Sequence, residues 1–466
     1  MKLKRVLSLS FAAAMVLTAG LSSACGKENV KEAPTYEVQP VYAYHFDRFG
    51  KDIMPVGAYI GPFGGYGYEG NYIESLVTDE QYAAANDCGL NFFAAMKQNY
   101  SVNKEETELA LNLADRNEIM LFIGDGYLFN LYEGSRKAPV AYEDFTARVA
   151  NYRNHPSFAG LVGRDEPFGY ELPYCTEVQK AFDAVFDKNS SIALYMNSLS
   201  YQCTQEWLYG GRDRIGGISW TVEKYIDEYL KALDGMKFYS YDTYPFYGGS
   251  IRNSYFINLA LVRDKTLEAK IPFWAFVQGG GYYDNDEAWD YPTEGGLMWN
   301  VSTSLAYGAK GYQFFPYCHP AEFTEAPSGA SSLIGRYGEK SATWFYAKRA
   351  NAQTKAIDEV LMNSAHMGVV FHGASPAVVP DGTLSSFREL VSVSGDDAMV
   401  GCFDYFGKTV LYLVNNSVTR NNATITLNFN DAYAYRAVQN AVSYDLAGTS
   451  LTFNLSAGEG VLIILR

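Results

Sequence analysis

Cysteine is scarce, and its spacing serves neither of its structural uses. The 466-residue chain has six. Apart from Cys25 they are Cys88, Cys175, Cys203, Cys318 and Cys402, an odd set without a CxxC pair. That argues against a full disulfide framework and against a zinc site built on thiolates. It leaves buried free thiols, with Cys175 and Cys203 the one pairing worth naming. The five histidines are as scattered, so no metal is expected. Nucleotide chemistry lacks its turns as well. The one GxGxxG match, Gly65-Tyr66-Gly67-Tyr68-Glu69-Gly70, stands eight residues ahead of the Thr78 cap instead of opening a helix, and the Gly279-Gly280-Gly281 run is not followed by the GK[ST] of a phosphate loop, so no cofactor is expected. A GxSxG elbow is missing, and no basic cluster waits for a uronate. Positive charge is short throughout: 37 Lys and Arg face 52 Asp and Glu, a net charge of −15. Such a surface repels nucleic acid and anionic lipid and tolerates neutral or cationic ligands. Nucleic acid is therefore excluded as a partner. Beyond the N-terminal stretch, no apolar run is long enough to span a membrane.

What is abundant is tyrosine, 38 residues, within an aromatic content of 15%. Most of it fills strands and loops, but the level suits flat ligands held by stacking. The N-terminus reads as an export signal: Lys2, Lys4 and Arg5 precede an uncharged apolar stretch from Val6 to Ala24. Leu21-Ser-Ser-Ala-Cys25-Gly follows, and small residues ahead of a lone Cys resemble the lipobox of bacterial lipoproteins. That pattern prefers an aliphatic residue where this chain has Ser22, with Leu21 one place earlier. The resemblance implies a signal peptide over residues 1–25, lipid on the Cys25 thiol, and a protein held on the outer side of the cell membrane by that lipid alone. Residues 26–45 are polar and Pro-bearing, which suits a tether.

From residue 46 to about 360, eight short apolar runs alternate with helical stretches. They are Met54–Tyr59, Leu90–Met96, Ile119–Ile123, Phe158–Gly163, Ile192–Met196, Lys237–Tyr241, Pro272–Val277 and Gly311–Phe315. Their spacing is that of βα units. Between them, Thr78 opens an N-cap signature, and Phe145, Val149 and Tyr152 share one helical face. Eight βα units predict a (β/α)8 barrel. An open doubly wound sheet is disfavoured by that count and by the lack of a Gly-rich turn that opens a helix. Over 361–466 the texture changes to short strands separated by Asn, Gly and Asp, which predicts a smaller all-β sandwich domain.

A barrel of this kind carries its chemistry at the C-terminal tips of its strands. The fourth run ends in Arg164-Asp165-Glu166-Pro167, two consecutive acids before a proline that stops regular pairing. Taken alone, this could be a charged loop start capping the next helix. The other tips are also polar or aromatic: Asn197, then Asp242-Thr243-Tyr244-Pro245, Gln278, and Tyr317-Cys318-His319. Carboxylates and amides satisfy hydroxyl groups, and Trp and Tyr stack on the C–H faces of sugar rings. Trp220, Trp274 and Trp299 join Tyr244 and Tyr317 as stacking candidates. Together these residues describe a site for a polyhydroxylated ligand.

Three passages then resemble (β/α)8 glycoside hydrolases of the clan A type, closest in flavour to the β-galactosidase-like barrels. His155-Pro-Ser-Phe-Ala-Gly through Asp165-Glu166-Pro167 is similar to the fourth-strand segment that bears the acid/base Glu. Ser240-Tyr-Asp-Thr-Tyr-Pro resembles a sixth-strand signature, and Gly295 through Phe315 resembles the helix and eighth strand that close such barrels. The resemblance implies an oligo- or polysaccharide substrate and a proton donor at Glu166, whose pKa Asp165 would help to raise. It also implies a second Glu at the end of strand seven, where this chain has Gln278. An amide cannot attack an anomeric carbon as a carboxylate does. Asp242 is the nearest replacement as base or nucleophile, with Asp284, Asp286 and Glu287 as others. The rival expectation is a glycan-binding lipoprotein on a barrel that no longer hydrolyses.

Overall fold

A computed structural model describes residues 30–133, 141–211, 219–284, 287–320, 324–325 and 332–466. Cys25 and Asp286 lie outside the described residues. Each of the eight apolar runs contains or overlaps a strand: β1 Val56–Tyr59, β2 Phe92–Asn99, β3 Met120–Gly124, β4 Phe158–Asp165, β5 Ala193–Ser198, β6 Tyr239–Tyr241, β7 Phe273–Gln278 and β8 Tyr312–Phe315. All pair in parallel with their sequence neighbours, and β1 pairs with both β2 and β8, closing the barrel. The runs are apolar throughout because both faces of a parallel strand are covered. The helices follow their caps and stripes. Thr78 accepts a hydrogen bond from the Gln81 backbone N–H at the start of Asp79–Asp87, and Phe145, Val149 and Tyr152 form the buried face of Tyr142–Tyr152. In β4 the chain needs glycine at position 160, where φ is +147° and a Cβ would lie 1.8 Å from the Ala193 carbonyl oxygen.

The barrel interior is layered. Its N-terminal end is filled by rings: Trp274, the second residue of β7, stacks on Phe238 at 3.7 Å and 8°, with Phe92, Phe122 and Phe46 around it. Phe46 comes from the segment before β1, which plugs the base. Above this layer the inward positions turn polar. Tyr195, Ser240 and Gln313 are fully buried and bonded to one another: the Tyr195 hydroxyl donates to Gln313 Oε1 at 2.9 Å, and Gln313 Nε2 donates to Ser240 Oγ at 2.9 Å.

After the barrel come β9 Ala365–His372, β10 Leu390–Gly395, β11 Ala398–Tyr405, β12 Lys408–Asn415, β13 Ala423–Gln439, β14 Val442–Leu455 and β15 Gly460–Leu465. They build the smaller all-β domain as one antiparallel sheet in the order β9-β11-β12-β15-β13-β10, with β14 added along β13. The 17-residue β13 breaks register between Asn428 and Tyr433; β10 pairs with the part before the break and β15 with the part after it. The sheet thereby curls over its own core of residues such as Val400, Leu411, Ile425, Tyr435 and Ile463. Strand alternation sends the other face, including Met399, Phe403, Val410 and Tyr412, into the barrel's core. Between the two lies the helix Glu294–Ala306, buried at every residue from Gly296 onward. Approach there is backbone to backbone, since a Cβ on Gly401 would lie 2.4 Å from the Ala306 carbonyl oxygen. All five described cysteines are free, four of them buried. No described helix is long and apolar enough to cross a membrane.

Candidate active site

Parallel register places the site. Asp165 at the end of β4 pairs with Asn197 of β5, and Asn197 pairs with Ser240 of β6, two residues before Asp242. Asn197 joins these strands chemically. Its Nδ2 donates to Asp242 Oδ1 at 3.3 Å, and its Oδ1 accepts from Ser240 Oγ at 3.0 Å. A buried chain of hydrogen bonds therefore runs from Gln313 through Ser240 and Asn197 to Asp242. Fully bonded networks of this kind fix side-chain orientation.

Glu166 sits beyond the strand in a left-handed backbone conformation, φ +46°. For a non-glycine residue this costs about 1–2 kcal/mol, and such strain persists where surrounding structure imposes it. Here the Glu166 N–H donates to the Asn197 carbonyl at 2.9 Å, and the Tyr225 hydroxyl donates to the Pro167 carbonyl at 2.7 Å. Glu171 completes the turn. One of its carboxylate oxygens accepts from the Phe168 N–H at 2.8 Å, the other accepts from the Tyr170 hydroxyl at 3.0 Å, and Arg164 stands 3.8 Å away.

The result is three carboxyls at one height. Burial, then the neighbouring charges of Asp242 and Asp165, push Glu166 well above the usual carboxylate range. Asp242 is raised to about 7 by burial and by Asp165, against hydrogen bonds from Glu166 and Asn197 that lower it. Asp165 is raised by burial, opposed by the Tyr59 hydroxyl, Asn197 and Arg164. Glu166 and Asp242 are electrostatic neighbours: their interaction raises Glu166 and lowers Asp242, which favours the proton on Glu166. Among the described residues no group of acids, His and Cys is arranged to hold a metal ion.

Opposite the carboxyls the wall is aromatic. Tyr59 of β1 lies 5.3 Å from Phe276 and 5.9 Å from Phe315, and Tyr244 lies 5.4 Å from Phe315. The buried Tyr59 hydroxyl faces Asp165 without a hydrogen bond of ordinary geometry. On the rim, Trp207 is 56% exposed and stands edge-on to Phe168 at 5.6 Å, two residues from Glu166.

Of the residues expected from sequence, Asp165, Glu166, Asn197 and Asp242 come together, and Tyr244 joins the facing wall. Six others have their rings or polar atoms engaged elsewhere, and the side chains of Asp284 and Glu287 lie outside the description. Gln278 is fully buried, and its amide is spent on the backbone: Oε1 accepts from the Phe246 N–H at 3.0 Å, while Nε2 donates to the Phe246 and Asp290 carbonyls at 3.1 and 2.7 Å. Trp274 belongs to the plug at the opposite end of the barrel. Trp299 lies in the interdomain helix and donates to Asn416 Oδ1 at 2.8 Å. Tyr317 is fully buried, its ring 4.8 Å from Phe93 and its hydroxyl bonded to the Gln81 carbonyl. His319 is buried against Arg336, with Nε2 2.6 Å from the guanidinium. Trp220 is buried behind Gly169, its ring 5.0 Å from Tyr209. Tyr59, Tyr195, Ser240, Gln313, Glu171 and Trp207 were not anticipated. The strand period of two points to Tyr195 and Ser240, each two residues before an expected site residue, and Gln313 is a polar interruption of a buried run.

No protein-family model matches the chain, and no curated protein does. Among solved structures, one described as a glycoside hydrolase is 11% identical, with 94% of this chain and 98% of that one covered at a TM-score of 0.51. A family 39 glycoside hydrolase from Bacteroides cellulosilyticus WH2 is 10% identical, with 90% and 82% covered at 0.50. A family 5 glycoside hydrolase from Bacteroides vulgatus ATCC 8482 is 10% identical, with 89% and 88% covered at 0.49. At these identities the likeness is one of fold: the barrel followed by a β domain.

Proposed function

We propose that this chain is a glycoside hydrolase acting on an oligo- or polysaccharide, with Glu166 as proton donor to the departing glycosidic oxygen and Asp242 as the second carboxylate. The observation that carries this reading is the buried Asp165–Glu166–Asp242 cluster on the C-terminal face of a closed barrel, in which burial and the neighbouring acids push Glu166 well above the usual carboxylate range. A module that only binds has no need of a carboxyl whose proton is held by burial and two neighbouring charges. The similarity of fold to solved glycoside hydrolases agrees with it. The export signal and Cys25 support placement on the outer cell surface by a lipid anchor.

Glu166→Gln should abolish cleavage of an unactivated glycoside, because the leaving oxygen receives no proton. On an aryl glycoside with a good leaving group the loss should be smaller, the difference reflecting the roughly 10²–10⁴-fold value of general acid catalysis. Asp242→Asn should be severe on both. Because Glu166 must be protonated and its pKa is raised, wild-type turnover should fall as pH rises through that raised value, and Glu166→Gln should lose this alkaline limb. Initial rates on the two substrate types across pH measure all of this. If the wild type cleaves nothing in a broad glycan panel yet binds one member, the non-catalytic reading wins, with Gln278 in the strand-seven position as its supporting observation. For the anchor, Cys25→Ala should abolish incorporation of a tagged fatty acid; equal labelling of both proteins would refute it.

A further inference from the structure

From Lys31 onward the polar stretch ahead of the barrel is bonded along the β domain. The Lys31 N–H donates to the Ala432 carbonyl at 2.8 Å, and its ammonium pairs with Asp431. The Ala33 N–H donates to the Arg466 carbonyl at 3.0 Å, and the Tyr36 N–H donates to the Gly407 carbonyl at 2.8 Å. Tyr36 is clamped further: its hydroxyl donates to Glu389 Oε1 at 2.8 Å, and the Arg388 guanidinium lies 4.0 Å over its ring. The Gln39 N–H donates to Asp404 Oδ1 at 3.3 Å. Tyr44 then packs 5.0 Å from Phe238, and Phe46 enters the plug at the barrel base.

These contacts all lie at the base end of the molecule. The helix Glu294–Ala306 leads from the tip of β7 back to the start of β8, so it begins at the mouth of the barrel and ends at its base. Its first turn meets the β domain at Val418, and its last residue, Ala306, meets Gly401. Ala398 pairs with Asn415, near Val418, so β11 runs from there past Ala306 and on toward the base. The β11–β12 turn at Phe406 and Gly407 therefore lies beyond the end of the helix. Arg466 lies there too, because β15 runs beside β12 from Gly460, opposite Val414, to Ile464, opposite Val410. Ala432 follows, since the Arg466 N–H donates to the Ala434 carbonyl at 3.0 Å.

Six residue steps separate Cys25 from Lys31, a reach of roughly 20 Å at full extension. Resting on the lipid-anchor reading, we infer that the segment from Lys31 to Phe46 is an orienting strap: it sets the base of the barrel toward the lipid surface and turns the mouth that holds Asp165, Glu166 and Asp242 away from it. A long flexible tether would let the mouth face any direction. The strap leaves the mouth open to a polysaccharide too large to pass between the protein and the membrane.

The test uses the lipidated full chain on phosphatidylcholine vesicles that hold a headgroup-labelled acceptor lipid. A donor dye is attached at the base through Phe406→Cys, or at the mouth through Val102→Cys in the loop after β2; both side chains are exposed. A Cys203→Ser background removes the one described cysteine that is not buried. Energy transfer to the lipid should be several-fold stronger from position 406 than from position 102, and a 20-residue Gly-Ser insertion ahead of Val30 should shrink the difference. Equal transfer from the two positions, or stronger transfer from 102, would overturn the strap and leave the anchor standing. A contrast that survives the insertion would also overturn it, because the protein surface would then set the orientation. A chain that takes up no fatty acid would overturn the anchor reading, and the inference with it.

Discussion

Gln278 stands at the tip of strand seven, and its amide serves the fold. Replacing it with Glu is the direct test of that assignment. The two carbonyls that accept from Nε2, those of Phe246 and Asp290, would face a carboxylate oxygen in a buried place. Leaving buried acceptors unpaired costs roughly 1–3 kcal/mol for each group, so Gln278→Glu should lower the urea midpoint strongly and add no turnover. A stable variant with increased activity would return this position to the catalytic machinery. Residue type singled out acids that lie together, and of the aromatics only Tyr244 lies near them. Trp274, Trp299 and Tyr317 are the residue types that stack on sugars, and type carries no information about depth. Position along the strand does: Trp274 is the second residue of β7, at the end of the barrel away from the strand tips.

At the scale of the element, the turn from Arg164 to Leu172 is the piece that aims Glu166, the proposed proton donor. Its left-handed residue is held by the Asn197 carbonyl, and Glu171 ties the Phe168 N–H, the Tyr170 hydroxyl and Arg164 together on either side of it. Glu171→Ala should release the turn and lower kcat by about 10–10²-fold, the scale of a small misplacement of a reacting group. Glu171→Gln keeps an acceptor for the Phe168 N–H and should recover much of the loss. Initial rates on an aryl glycoside, read against the melting temperatures of both variants, separate this positioning from loss of fold. If both variants keep wild-type turnover, Glu171 does not aim Glu166. The eight strands were legible because burial on both faces makes each a short apolar run. Others were not, among them the hairpin Phe246–Tyr247 with Ser250–Ile251, which is two residues per strand and half exposed. That hairpin is what the Gln278 amide grips, so the reason for an amide on strand seven could not be read before the hairpin was seen.

For the whole molecule, the C-terminal strands were expected as a sandwich, and the all-β domain they build is one sheet curled by the register break in β13. Short strands with turns between them look the same in either arrangement. The interface with the barrel matters more for behaviour. The helix Glu294–Ala306 contributes Trp299 to Asn416 and Ser302 to Tyr412, and it receives His366 at the Ala306 carbonyl. With a shared wall of this kind, the chain should unfold in a single transition whose calorimetric and van't Hoff enthalpies agree. Two resolved transitions would show that the domains are separately stable.

The composition of that helix carries a further consequence. It is apolar or small on every side because every side is covered, so it has no face that water was meant to meet. The barrel is therefore not a transplantable module. Cut from its β domain, or fused to a foreign one, it would present a bare greasy helix and recruit other copies of itself. Any recombination of this protein with its structural likenesses has to carry Glu294–Ala306 and the sheet face that covers it as one inherited block.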